Sequence, residues 1–366
     1  MANALSAHFI KRFDRATIEG ELEIPMHVQR VTVLFGPSGC GKTTVLRCLA
    51  GLEVPDEGTI RFGAETWLDK QRGVCLTPQE RGIGFVFQNY ALFPHLSVAA
   101  NVGYGLNDLN ASERKRRVRE LLDRFELTAQ ADQRPHQLSG GQQQRVGLAR
   151  SLAMDPPLLL MDEPFGALDP VLRHQLQQEF LGIRKQLNKT ILFVTHDVEE
   201  AFRLGDRVGV VAEGKLIRVG TPEDLIMNPG SSAVASLIGV EQKMRYLDHL
   251  SVKSMMIPID PSRILDGNLF IDDAREALIA SRADYIIVGR EGVVEGIFYP
   301  HDLLTAGGTD IRLGGQAHKL PVFPSSTMAS EALSAMKRQG VSIAVISEPD
   351  GTGGLLVMDE IMRRLL

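Results

Sequence analysis

Nine consecutive residues carry types that can hold an anion: Gly36-Pro37-Ser38-Gly39-Cys40-Gly41-Lys42-Thr43-Thr44. Glycines let successive backbone N–H groups converge on one concavity, and a helix N-terminus adds the positive end of its dipole. Lys42 can then reach outer phosphates, and the Thr43 hydroxyl can ligate Mg²⁺. Such a G-x-x-x-x-G-K-[ST] match has meaning only where a strand runs in and a helix runs out. Residues 31–35 are an apolar run that reads as a buried strand, and 45–50 read as the first turns of a helix. By itself the stretch says that a nucleoside triphosphate binds; kinases, GTPases and motor ATPases fit equally. Cys40 stands at the helix N-terminus, which lowers a thiol pKa. Thiol reagents are expected to block ATP binding there by bulk, and no catalytic role falls to it.

The elements that must position this loop can be followed along the chain. Residues 1–35 alternate apolar and polar positions with breaks at Gly20 and Pro25, predicting a small antiparallel sheet that leads into the loop's strand. Residues 59–62 start another strand, and 83–88 form a short apolar strand ending in Gln88. A loop punctuated by Pro94 covers 89–98. Residues 112–127 are helical, with Val118, Leu121, Leu122 and Phe125 on one side, and their basic run 114–119 reads as a solvated face, with nucleic-acid or lipid contact the minor alternative. Residues 138–142 open a helix that runs to 153. The strand 158–161 ends at Asp162-Glu163, a helix covers 172–187, and the strand 190–195 ends at His196-Asp197. Residues 208–211 and 216–218 form a hairpin around Glu213-Gly214. Strands alternating with helices, with charged groups at strand ends, describe an α/β, mostly parallel sheet with its ligand site at the carboxyl edge.

The chain of 366 residues has room for two or three domains. With 40 basic and 45 acidic residues its net charge is −5, which argues against a general nucleic-acid binder. Three cysteines, Cys40, Cys48 and Cys75, without secreted-scaffold spacing suggest a reducing compartment. No run approaches the ~18–20 apolar residues that span a bilayer. The first fourteen residues lack a signal-peptide core, so a cytosolic chain is expected, touching a membrane only through a partner.

Composition shifts near residue 221, where Thr221-Pro222-Glu223-Asp224 and Asn228-Pro229-Gly230-Ser231-Ser232 read as a linker. Beyond Tyr246 a pattern repeats. Glu276-Ala277-Leu278 returns as Glu331-Ala332-Leu333, each followed by an apolar strand, a charged turn with glycine, a second strand and a helix. Two copies of β-α-β-β-α imply an internal pseudo-two-fold pair.

Taken together, the motifs of residues 1–240 resemble the ATP-binding subunits of ABC transporters. Phe13, 23 residues before Gly36, stands where that family stacks an aromatic on adenine. Residues 36–44 match its Walker A loop, Gln88 its Q-loop, and Leu138-Ser139-Gly140-Gly141-Gln142 its signature. Asp162 and Glu163 match Walker B and the following carboxylate, Ala167-Leu168-Asp169 the D-loop, and His196 the H-loop. The resemblance implies ATP and Mg²⁺ as cofactors and ATP hydrolysis as the reaction. Hydrolysis needs charge spread over the β- and γ-phosphates, an aligned water, and donors on the departing phosphoryl group. Thr43 and Asp162 can hold Mg²⁺ from opposite sides, Gln88 can reach the metal or the water, Glu163 is the natural base, and His196 can donate to the γ-phosphate. Singly, Asp162 and Glu163 would be ordinary strand-end charges and His196 a surface imidazole; their joint order carries the argument. Ser139-Gly140-Gly141 is a second helix N-terminus suited to an anion. In the family it caps the ATP of the other subunit, so the resemblance implies a homodimer, or a heterodimer with a similar chain.

Residues 89–98 are similar to the importer segment that packs on a coupling helix of a separate permease. Leu92, Phe93 and Leu96 are therefore expected at the surface, or else in local core. Trp67-Leu68-Asp69 and 76–81 resemble the molybdate and sulfate importer branch. The C-terminal repeats resemble a tandem CBS pair, at about 246–306 and 316–366 within 241–366, such as glycine-betaine importer ATPases carry. Asp302 stands where CBS domains place an acid on ribose hydroxyls, but Tyr299 replaces the usual upstream threonine, and Val357 and Glu360 occupy the second copy's positions. Structural or dimerising packing is expected there ahead of nucleotide sensing. The implied architecture is a P-loop ABC ATPase domain, with a mostly parallel core sheet, an antiparallel N-terminal sheet and a helical subdomain at about 89–155, followed by an α+β CBS pair. The implied function is the ATPase of an import system on the cytoplasmic face of the inner membrane, served by a permease and a periplasmic or lipid-anchored binding protein. A molybdate- or sulfate-like anion is the expected solute and an osmoprotectant the alternative. A soluble ABC ATPase outside transport, or a CBS-based sensor, is the competing class.

Overall fold

The computed structural model describes residues 4–25, 31–166, 168–187, 189–259, 264–272, 285–290, 293–299, 301–302, 312–315, 317–349 and 351–365. They fall into two units, residues 1–225 with 230–237 and residues 226–229 with 238–366.

In the first unit β1 (Ala4–Phe13) and β2 (Ala16–Pro25) form an antiparallel hairpin in full register. Its period-2 pattern buries Leu5, Ala7 and Phe9 and leaves the intervening side chains outside. The strand β3 (Val31–Phe35) is buried at every position, as a strand covered on both faces must be. The helix α1 (Lys42–Ala50) follows the glycine-rich loop and ends at Gly51 in the left-handed conformation. Then come β4 (Glu57–Phe62), β5 (Glu65–Asp69), β6 (Val74–Cys75) and β7 (Gly84–Val86). Three helices, α2 (Val98–Val102), α3 (Ala111–Arg124) and α4 (Gly140–Ser151), separate β7 from β8 (Leu158–Asp162). The chain continues through α5 (Pro170–Leu187), β9 (Thr190–Thr195), α6 (Val198–Leu204), β10 (Arg207–Ala212) and β11 (Lys215–Gly220).

These strands bond in the order β6-β5-β4-β1-β2-β11-β10-β3-β9-β8-β7. The block β10-β3-β9-β8-β7 is parallel throughout. The antiparallel strands are continuous with it, but through one residue pair, Lys215 opposite Glu19. Leu46 and Leu49 of α1 pack with Leu34, Leu160, Leu192 and Val194 of the parallel strands in the core under the loop. Each such leucine contributes about 1.5–3 kcal/mol on burial. The β10–β11 hairpin turns at Glu213 and Gly214, both at positive φ.

Two expectations need adjusting. The helix predicted over 112–127 ends at Arg124, because Phe125 caps it and Glu126 turns to φ 56°; Phe125 still reaches the core. The stretch near 221–232 is largely helical rather than an open linker. It carries α7 (Pro222–Met227) and the start of α8 (Ser232–Ile238), and α9 (Val240–Tyr246) follows. The side chains of Thr221 and Asp224 bond each other's backbone N–H groups and start α7, a capping box in which Asp stands at the third position.

The second unit begins its strands with β12 (Ile257–Pro258) and β13 (Ile264–Asp266), then β14 (Ile286–Arg290) and β15 (Val293–Phe298). It continues with β16 (Val322–Pro324), α10 (Ala329–Gln339), β17 (Ile343–Glu348), β18 (Gly351–Val357) and α11 (Met358–Leu365). β13 pairs parallel with β14, and β14 antiparallel with β15; β16, β17 and β18 repeat both pairings. Ile264 opposes Ile287 and Val322 opposes Val345, an offset of 58 residues that the bulges at Val288/Gly289 and Ile346/Ser347 also keep. Ile287 and Ile297 of the first copy share a core with Ile343, Val345 and Leu355 of the second. Glu276-Ala277-Leu278, Gly292 and Leu303-Leu304 lie outside the described residues. Among the described residues no helix is long and apolar enough to cross a membrane.

Candidate functional site

The register of the parallel strands puts four strand ends on one edge. Phe35 of β3 lies opposite Thr195 of β9, Asp162 of β8 opposite Val194, and Val86 of β7 opposite Met161. The glycine-rich loop, His196, Glu163 and Gln88 therefore leave the sheet side by side.

The loop is shaped by close approach. A Cβ on Gly36 would stand 2.0 Å from the Val211 carbonyl oxygen, and one on Gly41, at φ +99°, would stand 2.4 Å from Ile18 Cδ1. Gly39, at φ +81°, faces open space. Pro37, Ser38 and Gly39 are exposed, whereas Gly41, Thr43 and Thr44 are half-buried. Lys42 is buried, and its Nζ donates to the Gly36 and Pro37 carbonyls at 2.8 Å each, closing the loop on itself. The first turn of α1 leaves its N–H groups without intrahelical acceptors, aimed back toward the loop. Cys40 is buried, with Sγ 3.8 Å from Lys42 Nζ, so it is not the accessible thiol expected; Cys75 is the exposed one.

Thr43 Oγ1 donates to Asp162 Oδ1 at 2.8 Å. Asp162 is 4% exposed, and burial pushes its carboxyl up, with Glu163's charge in the same direction and the Thr43 hydrogen bond opposing. A hydroxyl and a carboxylate held together in a dry corner are hard oxygen donors suited to Mg²⁺. With the anion cradle of the loop beside them, the donor set fits Mg²⁺ and a nucleoside triphosphate. Next to Asp162, Glu163 sits at φ 43°, which carries its side chain off the strand line. Its Oε2 is approached by Gln88 Nε2 at 3.4 Å and by His196 Nδ1 at 3.2 Å. The side chain of Glu163 is 18% exposed and that of His196 48%. Three strand ends thus converge on one carboxylate oxygen.

Other expected residues stand apart from this cluster. Ser139 caps α4: its Oγ accepts from Gln142 N–H at 3.3 Å, and Gln142 Oε1 accepts from Ser139 N–H at 2.9 Å. Among the described residues no hydrogen bond links Ser139, Gly140, Gly141 or Gln142 to the loop 36–44. A Cβ on Gly141 would meet Leu172 and Leu176 of α5 at 3.2 Å, so the glycine lets α4 lie close on α5. Asp169 Oδ1 accepts from Leu172 N–H and starts α5; Ala167 lies outside the described residues. Phe13 ends β1 with 47% of its surface exposed and Lys11 Nζ 5.6 Å above its ring.

Sequence reasoning missed the side chains that brace these groups. Arg81 Nη1 donates to the Cys48 and Leu49 carbonyls at 2.7 Å, holding α1 from the end opposite the loop, while its guanidinium lies over Trp67. Asn101 Oδ1 accepts from Phe93 N–H, and Asn101 Nδ2 donates to the Phe93, Leu96 and Ser97 carbonyls, fixing the loop after Gln88. Arg150 donates to the Tyr90 and Ala91 carbonyls and covers the Phe93 ring. Leu92, Phe93 and Leu96 are accordingly half-buried rather than fully exposed, and Tyr104, its ring tilted 35° to that of Phe93 with centroids 4.2 Å apart, carries the exposed face. An asparagine or arginine among surface residues gives no signal that it bonds three carbonyls.

Comparison with known proteins adds relatives to this geometry. A family model described as ABC transporter matches residues 21–166. The sulfate/thiosulfate import ATP-binding protein CysA of Mesorhizobium japonicum is 39% identical over 303 residues, covering 81% of this chain and 80% of that protein. The glycine betaine/carnitine/choline transport ATP-binding protein OpuCA of Bacillus subtilis is 33% identical over 331 residues, 88% of this chain and 85% of that protein. Among solved structures, cbiO1 from Clostridium perfringens, part of the ABC transporter complex cbiONQ, matches with a TM-score of 0.54 and 26% identity. It covers 68% of this chain and 98% of that one.

Proposed function

Because this chain belongs to the import ATP-binding subunits of the ABC transporter family, we propose that it hydrolyses ATP at the carboxyl edge of its sheet and so energises solute uptake through a separate permease. The observation that carries this is the convergence of Gln88 and His196 on Glu163 Oε2, beside the Thr43–Asp162 pair.

Mg²⁺ bound with ATP neutralises charge on the β- and γ-phosphates. Thr43 and Asp162 would hold it, and Gln88 would reach it or orient the water. The loop N–H groups of residues 36–44 and Lys42 bind the phosphates, and Phe13 offers its exposed ring to the base. Glu163 takes the water's proton, which asks for an ionised carboxylate aimed away from its strand. His196 lies with Nδ1 3.2 Å from Glu163 Oε2, placed to donate to the outermost phosphate. Ser139, Gly140, Gly141 and Gln142 cap the nucleotide bound to a second copy, with Asp169 beside them, so two chains enclose two ATP molecules. The Glu163→Gln variant tests the site: it should bind ATP, stall before hydrolysis and accumulate as a dimer. Undiminished phosphate release would remove Glu163 from its role.

The surface around Leu92, Phe93, Leu96 and Tyr104 docks the permease, which places the chain peripherally on the cytoplasmic face of the membrane. Residues 1–240 form the ATPase domain and 241–366 a CBS pair; the doubled strand pairing and its constant offset of 58 support that assignment. Trp67-Leu68-Asp69 and 76–81 favour a sulfate-like anion as the solute. The repeats favour a second reading, an osmoprotectant importer regulated through its CBS pair. Identification of the permease that co-purifies from detergent-solubilised membranes decides between them.

A further inference from the structure

Behind the strand end that carries His196 lies a carboxylate that the hydrolytic geometry does not use. Glu200, on the first turn of α6, is 4% exposed. Its Oε2 accepts from Thr195 Oγ1, and its Oε1 accepts from Gln177 Nε2 at 3.3 Å. The Glu200 N–H donates to Asp197 Oδ1 at 3.1 Å, and the Asp197 N–H donates to Thr195 Oγ1 at 3.1 Å. Thr195 is the last residue of β9, and Gln177 lies on α5, whose first residue follows Asp169. One buried carboxylate therefore joins a strand end and two helices.

We propose that Glu200 is a positioning residue for ATP hydrolysis: it ties the Thr195–His196 corner to α5, so that His196 keeps its place beside Glu163. This rests on the reading of His196 given above and assigns it a support. When ionised, the carboxylate only accepts, and Thr195 and Gln177 both present donors to it. When protonated, one of its oxygens becomes a donor and meets a group that is already donating, Thr195 Oγ1 at Oε2 or Gln177 Nε2 at Oε1. One of the two must then turn, and the tie between the residue before His196 and α5 is weakened.

The two states exchange in the working range. Burial pushes Glu200 up to about 7, against the Thr195 hydrogen bond; the charge of Asp197 raises it further, while Gln177 and Arg173 oppose. Arg173, on α5, has Nη1 3.9 Å from Asp197 Oδ2, and Arg203, on α6, bonds His174 and Gln177. β3 carries no ionisable residue, and β9 none before His196.

The test is steady-state hydrolysis by the full chain at saturating MgATP, from about pH 6 to about pH 8, with kcat and KM separated. Wild type should show kcat rising through an inflection near 7. Glu200→Gln, which mimics the protonated form, should stay about tenfold below the wild-type plateau with no inflection and an unchanged KM, within the hundredfold that misplacement can cost. Thr195→Val should lose the same factor, and Thr195→Ser should recover the rate and the inflection. Wild-type kcat and an intact inflection in Glu200→Gln would overturn the inference. If that variant fails to fold, the same result in Thr195→Val overturns it. His196→Ala separates the two levels. Its inactivity alongside a normal Glu200→Gln defeats the support role alone, whereas full activity of His196→Ala defeats the site reading and this inference together.

Discussion

The two units of the chain use the same strand chemistry to opposite ends. In the first, four adjacent parallel strands each lead into a different group, the glycine-rich loop after β3, His196 after β9, Asp162 and Glu163 at β8 and Gln88 beyond β7, and the register brings these to one edge. In the second, the strand pairing is copied at a fixed offset, but the polar residues are not: Tyr299 and Asp302 of one copy meet Val357 and Glu360 in the other. Asp302 accepts from the Tyr299 N–H and pairs with both His301 and His318, whereas Glu360 at the second copy's position pairs with Arg363. Where chemistry is concentrated, each strand end is distinct; where packing is the common element, the apolar positions repeat and the polar ones diverge.

That contrast can be broken or sharpened by experiment. The largest effect belongs to the first unit. Glu163→Gln should lower hydrolysis about 10²–10⁴-fold, the range of a lost general base, while nucleotide binding by fluorescence titration survives. Next, Ile297→Ala removes a fully buried side chain from the core shared by the repeats. It should cost the second unit about 2–5 kcal/mol. Calorimetry should show that loss while kcat of the first unit holds; a parallel fall in kcat would mean the units are energetically one. Ser139→Ala should cost about 1 kcal/mol of cap stability and slow hydrolysis without weakening ATP binding to the monomer.

The smallest effect is in pH, and its sign differs between the units. Glu200 binds its proton more tightly folded than unfolded, so its stabilising contribution is full below 4.5 and is lost as pH rises toward about 7. Asp302 behaves oppositely. Burial alone would raise its carboxyl, but the Tyr299 N–H and His318 outweigh burial and hold it below 3.8. Its contribution is present above the ordinary value and disappears as pH falls through the lowered one. Melting curves should show the first unit gaining as pH falls from about 7 to 4.5, and the second weakening only as pH falls below 3.8; a shared direction would remove the distinction.

The strand ends were readable in advance because a buried parallel strand is a continuous apolar run, and the first polar residue after it is conspicuous. Gln88, Asp162, Glu163 and His196 were found in that way, as was the loop between an apolar run and a helix. The alternation of β1 and β2 likewise announced their pairing. The braces were not readable. Arg81 and Arg150 act on carbonyls far along the chain, Asn101 and Glu200 on carbonyls or a hydroxyl close by, and in neither case does a local period mark the polar residue as buried. Cys40 shows the same limit: its helix-start position suggested access, and packing against the Gly36 backbone removed it.

The single pair Lys215–Glu19 that stitches the hairpin to the parallel block acts as a crease. A ladder of many rungs resists bending, and one rung does not. The hairpin is held to the parallel block by side-chain packing instead, Ile18, Leu22 and Ile24 sharing a core with Leu34 and Leu46, so little backbone ladder protects the seam. Amide exchange at Glu19, whose N–H donates to Gly214, should consequently be faster than at the rungs of β3 and β9.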